Sequence, residues 1–380
     1  MIDKQYCMSS YMAFRYIEKE DVDFYEDTKH HNFVPAPEHE KILVDSAEAI
    51  DREVAQVFEG LKGQRLGIML SGGMDSASLA SYMEGCDGYT FRFLRGGFQT
   101  EELKRAEYYA KVYNLKLHYV DINWSTVTEN LQPVMKAKGA PVHSIEPQLY
   151  QAALQAKGDG IERLIIGNGA DYIFGGMDQL LSEDWAFDDF VERYMFTKPQ
   201  DVLKEPADVS YLFERYRCDR EKKIIDGAGS GAWELRDNSK LAELDGNNCG
   251  GGGGIDYLKF MEDVALIESF SSYLNAFHAA GMPYTDPYAK LKMAEKLDLY
   301  RIRHGEPKYL IRELFAMKYP GYPIPQKLPM PRPVDLYFKE WTGPQREEFR
   351  KDIDMRALTG NQKWQLYCLE EFLNLYEPLK

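Results

Sequence analysis

The chain has 380 residues, 44% hydrophobic and 28% charged, with a formal net charge of −15. That length gives about two domains with real cores, and an acid excess without clustered Lys and Arg argues against a nucleic-acid substrate, whose phosphates demand basic patches. No apolar stretch approaches the roughly 20 residues that span a bilayer, MIDKQYCMSS carries no signal-peptide pattern, and widely spaced cysteines without a CxxC pair indicate neither zinc nor a disulfide framework, so a reducing cytoplasm is the expected setting.

Residues 1–40 are aromatic and polar by turns and end in HHNFVPAPEHE. Adjacent His30 and His31 point in different directions on a helix or a strand, which makes them a weak metal pair. From Lys41 to Leu61 the apolar positions Ile42, Leu43, Ala47, Ile50, Val54, Val57, Phe58 and Leu61 recur at helical spacing, so 1–58 reads as an N-terminal linker and helix. Leu66 to Leu70 then has the composition of a buried parallel strand. It breaks at Ser71-Gly72-Gly73 and resumes as a helix of small and apolar residues, Ser76 to Met83. Glycines between strand and helix let backbone N–H groups approach an anion, and the helix N-terminus adds its dipole. Ser71 and Ser76 can donate hydroxyls to the same anion. Asp75 is out of place against a phosphate unless a divalent cation lies between them. The loop therefore reads as a site for a magnesium-bound polyphosphate, and it lacks the Lys-Ser/Thr of the Walker type. An ordinary glycine-containing turn is the plainer alternative, opposed by the agreement of strand, glycines, acid and helix.

Alternation follows. Tyr89 to Leu94, Leu115 to Ile122 and Arg163 to Ile166 read as strands; Glu101 to Tyr113, Ser125 to Met135 (with Ser125 as cap) and Glu146 to Ala156 read as helices. This rhythm predicts an α/β fold over 59–180, a parallel sheet with helices on both faces and its ligand at the carboxyl ends of the strands, where Ser71 and Gly167 fall. After about Leu180 the strands are expected to stop. Aromatic-rich segments such as Trp185 to Tyr194 and Phe260 to Phe277 predict a mostly α-helical acceptor and C-terminal region over 181–380. Between them, 226–254 is glycine-rich and ends in five glycines, Gly250 to Gly254, the pattern of a flexible loop or an artificial insert.

A second strand-to-glycine turn carries an acid: Ile165-Ile166-Gly167-Asn168-Gly169-Ala170-Asp171, followed by Phe174-Gly175-Gly176. SGGMDS at 71–76 resembles the pyrophosphate loop (PP-loop) of the ATP pyrophosphatases, which cleave ATP between the α and β phosphates. IGNGADYIFGG resembles the SGEGADELFGG of the asparagine synthetases. The resemblance implies that Asp75 and Asp171 share a Mg²⁺ ion, that Ser71, Gly72, Gly73 and Ser76 hold the pyrophosphate, and that Leu70, Phe93, Gly167 and Gly169 belong to the ATP site. The plainer alternative for Asp171 is a helix N-cap. Ser9 to Ile17 resembles the family's linker after its glutaminase domain, Glu101 to Val120 its helix and strand ending near His118, and Pro283-Tyr284-Thr285-Asp286 its PFLD. Glu306 to Arg312, EPKYLIR, resembles its K-x-x-L-R helix and marks Lys308 as a catalytic candidate. Gln326 to Trp341 resembles its late R-x-K…P…W segment, making Lys327 the lysine that stabilises charge during adenylation or amide formation.

The departures lie on the acceptor side. Ile2 stands where glutamine-hydrolysing members carry cysteine, and no glutaminase domain is read. Ammonia is therefore expected from solution or from a separate glutaminase or biosynthetic partner. Asn168 replaces the glutamate beside the acyl-adenylate (tyrosine in the β-lactam synthetase branch) and can hydrogen-bond but not act as a general base. Gly139-Ala140-Pro141 replaces an acidic pair before proline, and Ala279 and Gly281 replace a Glu and an Arg before PFLD. The resemblance thus implies a ligase that uses ATP and Mg²⁺ to adenylate a small-molecule carboxylate and join it to ammonia or an amine, with an acceptor pocket unlike that for aspartate. The rivals are a PP-loop enzyme that modifies tRNA and a non-catalytic ATP-binding partner protein. The charge balance and the unpaired cysteines oppose the first; Asp75 and Asp171 oppose the second.

Overall fold

The computed structural model describes residues 1–94, 99–223, 232–236, 253–328 and 333–378. Helix α1 (Lys4–Phe14) starts on the Asp3 carboxylate, which accepts the Tyr6 N–H at 2.9 Å. It ends where Arg15 turns left-handed, φ 64°. The expected helix from Lys41 begins later than its spacing suggests. Ile42–Val44 is strand β1, and α2 (Ala47–Gly60) follows, capped by Ser46. Ile42 and Leu43 are exposed, so they never belonged to the buried stripe of that helix.

The sheet is built from β2 (Leu66–Met69), β3 (Asp87–Phe93), β4 (Lys116–Ile122), β5 (Arg163–Ile165) and a short strand at Tyr284–Thr285. The order across the sheet is β4, β3, β2, β5 and then Tyr284–Thr285, and every pairing is parallel. Ile68 at the centre lies opposite Gly88 on one side and Ile165 on the other. The chain runs outward from β2 to β4 and then returns to the far side of β2. Such a reversal opens a crevice at the carboxyl ends of the two strands beside it, here β2 and β5. The connecting helices are α3 (Met74–Ala80), α4 (Thr100–Val112), α5 (Trp124–Lys138) and α6 (Glu146–Gly158), with the short α7 (Gly169–Ile173) after β5. The cap of α5 is Asn123, whose side chain accepts the Thr126 N–H at 2.9 Å, rather than Ser125.

Strands do not stop after Leu180. An antiparallel group forms from β6 (Arg217–Lys223), β7 (Ala232–Arg236) and β8 (Gly254–Ile255). The polar sequence of β6, RCDREKK, shows no apolar alternation, and β7, AWELR, lies inside the glycine-rich stretch read as a loop. Apart from β7 and Gly253–Gly254, the glycine-rich stretch lies outside the described residues. The longer helices of this region are α8 (Phe187–Tyr194), α9 (Leu266–Ala280), α10 (Tyr309–Lys318) and α11 (Gly360–Tyr376). The strand at Tyr284–Thr285 is β9, and β10 (Leu291–Met293) pairs with β1. Helices α5, α6 and α9 pack together as one flanking group, and α2, α3 and α10 as another. Among the described residues no helix is long and apolar enough to cross a membrane.

Candidate active site

A cavity of about 650 Å³ opens at the carboxyl ends of β2 and β5. Its floor is the loop after β2. Leu70 is buried, and its N–H donates to the Tyr89 carbonyl at 2.8 Å, which keeps the chain in the sheet up to the turn. The turn then closes on itself. Ser71 N–H donates to Ser76 Oγ at 3.0 Å, Gly73 N–H to Ser71 Oγ at 3.1 Å, and the two hydroxyl oxygens lie 3.0 Å apart. Both hydroxyls can rotate toward an anion above the loop. Gly72 is required by contact, because a Cβ there would come within 2.8 Å of the Glu102 backbone. Glu102 itself lines the cavity beside the loop. Burial pushes its carboxyl up, against hydrogen bonds from Gln99 and the Gly72 N–H. Nothing in the sequence pattern singled Glu102 out.

The second glycine turn, after β5, faces the first. Gly167 lies close to the start of α3, with a built Cβ 3.3 Å from the Asp75 backbone. Asp75 and Asp171 converge on one ammonium: Lys308 Nζ is 2.6 Å from Asp75 Oδ2 and 2.9 Å from Asp171 Oδ1. Lys327 Nζ reaches the same Asp171 oxygen at 3.0 Å and donates to the Gly176 carbonyl at 2.5 Å. Gly176 must be glycine here, because a Cβ would lie 2.2 Å from Asp171 Oδ1. Burial pushes the Asp75 carboxyl up, and Lys308 works against that. Burial acts on Asp171 in the same sense, but Lys308 and Lys327 together hold it below the usual carboxylate range. Burial opposes the charge on Lys308, yet Asp171 and Asp75 keep it above the ordinary lysine value. The cluster is thus two carboxylates and two ammoniums, balanced when all are ionised.

Asp75 Oδ1 is buried with no hydrogen-bond partner. Among the described residues no set of three or more His, Cys, Asp and Glu surrounds a common point. Two converging carboxylates with one oxygen to spare fit Mg²⁺, which takes one or two carboxylates and fills its octahedron with phosphate oxygens and water.

Asp286, from the segment read as PFLD-like, supports the turn from behind. Its Oδ2 accepts the Gly169 N–H at 2.6 Å and its Oδ1 the Tyr288 N–H at 3.0 Å. Burial raises its carboxyl to about 7, against those backbone hydrogen bonds. Gly169 therefore packs on the 286–289 turn and does not line the cavity. Phe93 is also off the wall: it is buried, its N–H donates to the Gln99 side chain at 2.7 Å, and Thr90 and Phe91 take the cavity side instead. His118 bonds Asp87 and stacks on Tyr89, away from the site. His30 bonds Asp23 at 2.9 Å.

The far end of the cavity is made by side chains that sequence reasoning did not assign. Arg15 Nη2 donates to Glu268 Oε2 at 3.1 Å, and Arg15 Nη1 lies 3.2 Å from His143 Nε2. The guanidinium also stacks on Phe196, 3.5 Å from the ring centroid. Asn168 sits between the two ends. Its Oδ1 accepts the Ser269 hydroxyl at 3.2 Å, and its Nδ2 is buried without a partner. Arg15 and Lys308 have φ of 64° and 55°, and Asn114 is the other described non-glycine residue at positive φ. Such conformations cost of order 1–3 kcal/mol and persist where the surroundings demand them. Here they place one cation at each end of the cavity.

The asparagine synthase family model matches residues 48–239, which contain both glycine turns and both aspartates. The chain belongs to the asparagine synthase family. Lys308, Lys327, Asp286, Arg15 and Glu268 lie outside the matched span and join the family motifs only in space. Membership supports an ATP-utilising PP-loop synthetase. No curated protein sequence matches the chain. Among solved structures it is similar to NMN synthetase from Francisella tularensis, at 15% identity and TM-score 0.24, over 34% of this chain and 56% of that one. It therefore spans about half the length of that relative. It is also similar to the U34-tRNA thiolase NcsA from Methanococcus maripaludis, solved with its 4Fe-4S cluster, at 12% identity and TM-score 0.31, over 88% and 82% of the two chains.

Proposed function

We propose that this protein adenylates a carboxylate, releasing pyrophosphate, and then forms an amide with ammonia or an amine. One observation carries the reading: Asp75 and Asp171, from turns after adjacent strands, meet within 2.6 and 2.9 Å of a common cation on the floor of a cavity large enough for a nucleotide. Mg²⁺ held by these two carboxylates would supply charge neutralisation for the departing pyrophosphate. Ser71 and Ser76 hold its oxygens through their hydroxyls. Lys327, half-exposed at the cavity edge, offers a compact positive charge where negative charge develops on the phosphoryl group. Lys308 is buried and holds the two aspartates in position. Asn168 lies between the phosphate end and the Arg15–Glu268 end, where the acyl carbon must pass. Adenylation divides one difficult condensation into two easier steps.

The half-reaction tests this apart from the acceptor. With ATP, Mg²⁺ and a panel of carboxylates but no amine, labelled pyrophosphate is expected to exchange into ATP for at least one carboxylate. Exchange with none of a broad panel, while ATP still binds, would remove the adenylating assignment.

A further inference from the structure

A second cavity, of about 890 Å³, adjoins the first, and both are lined by Arg15 and His143. Trp185, Phe196 and Trp364 supply much of its apolar wall. Its charged lining holds three acids, Asp189, Glu192 and Asp201, and three cations, Arg15, Arg193 and Lys198, with Lys198 paired to Glu192 at 2.6 Å. Ser144 stands beside His143 on this wall. It is 6% exposed, and among the described residues its Oγ meets no hydrogen-bond partner. A buried hydroxyl left unpaired is costly unless a ligand completes it.

We propose that the second cavity seats the nitrogen nucleophile, and that this nucleophile is an organic primary amine with an aromatic body. The inference rests on the adenylating reading above and names one of its substrates. Ammonia needs no chamber of this volume, whereas Trp185 and Phe196, both partly exposed and on its lining, offer aromatic surface to a ring. Asp189 and Asp201, on that lining, attract an ammonium. The amino group then lies against Ser144 and the Arg15–His143 wall, where the arginine cation disfavours the protonated form and favours the neutral nucleophile. In the reaction the nitrogen lone pair forms the new C–N bond, the C–O bond of the acyl-adenylate breaks, AMP leaves with that electron pair, and the amine's proton passes to water.

Titration of the full chain with tryptamine tests this, with N-acetyltryptamine as the ring without the cation. Saturable tryptamine binding is expected, at least tenfold weaker for N-acetyltryptamine. It should also be at least tenfold weaker in Ala357→Trp, which fills the exposed rim of the cavity, and severalfold weaker in Ser144→Ala. Melting curves matching wild type establish that both variants fold. Absence of saturable tryptamine binding, equal binding of the acetylated ring, or binding that Ala357→Trp leaves unaltered would each overturn the proposal. Failure of pyrophosphate exchange is a separate result that strikes the adenylating reading instead.

Discussion

At the phosphate end of the cavity the backbone does most of the shaping. Gly72 and Gly176 sit where a Cβ would strike the Glu102 backbone or the Asp171 carboxylate, and the Ser71–Ser76 turn hydrogen-bonds to itself. At the other end three long side chains from distant segments, Arg15, His143 and Glu268, make the wall by touching one another. A site of the first kind tolerates almost no change in its own loop. A site of the second kind can be rebuilt one side chain at a time. The first end keeps the glycine turns and aspartates of the family motifs; Gly139, Ala140, Ala279 and Gly281, where the sequence departs from the family, line neither cavity, Gly139 lying against the Lys29 backbone and Gly281 beside Lys157.

The sharpest way to break this comparison is at the shared aspartates. Asp75→Asn and Asp171→Asn are each expected to lower turnover by about 10²–10³-fold or more, because each removes a charged ligand from the cation that the two would share and that would neutralise developing phosphate charge. Circular dichroism should remain that of wild type. Turnover within severalfold of wild type in either variant would take that residue out of the site.

The two lysines should separate next. Lys308 is buried against both carboxylates, whereas Lys327 is half-exposed. Lys308→Ala leaves Asp75 without its ammonium partner, while Asp171 keeps Lys327, and is expected to destabilise the fold by up to about 3 kcal/mol, with part of the loss restored by Mg²⁺. Lys327→Ala is expected to lower kcat with little change in melting temperature. Equal melting temperatures for the two variants would contradict the division of roles.

Arg15→Ala reaches only the acceptor end. It is expected to reduce kcat/KM for the carboxylate by about 10²-fold, the scale of truncating one partner of a buried charge pair, while the Kd for ATP stays within a factor of about two. Asn168→Glu alone should not produce efficient asparagine formation from aspartate and ammonium, since Asn168 is one polar group among several and answers to Ser269. Steady-state kinetics with these substrates checks both statements.

The smallest effect concerns the scaffold that both ends share. Burial works against ionised Glu348, but Arg346 and Lys4 hold its carboxyl down to about 2 from an ordinary 4.5, tying the start of α1 to the C-terminal region. Stability from this group is present above about pH 4.5 and is lost as pH falls through about 2. Glu348→Gln should therefore melt below wild type at pH 7, and the gap should close near pH 2.

Much of the phosphate end was legible in the chain order of its residues, because a strand, a glycine turn and a helix are contiguous and their chemistry is local. The parallel sheet was legible for the same reason. Lys308 and Lys327 emerged only through resemblance, since a lone lysine in sequence looks like any solvated one. Phe93 and Gly169 were placed at the ATP site but turn away from the cavity, toward Gln99 and the 286–289 turn. A side chain's neighbour there is set by tertiary packing that no local pattern encodes. Arg15 carried no signal of its own; its left-handed backbone and its contacts with His143, Glu268 and Phe196 exist only in the folded chain. β6 was missed because RCDREKK shows no apolar alternation, and β7, where Trp233 and Leu235 alternate with Glu234 and Arg236, because it is short and lies inside the glycine-rich stretch read as a loop.

The products of ATP cleavage test the central claim most directly. With ATP, Mg²⁺, a carboxylate that supports exchange and an amine, the chain is expected to release AMP and pyrophosphate in equal amounts with the amide. Release of ADP and phosphate would contradict a site in which Asp75 and Asp171 would hold, through Mg²⁺, pyrophosphate as a single leaving group.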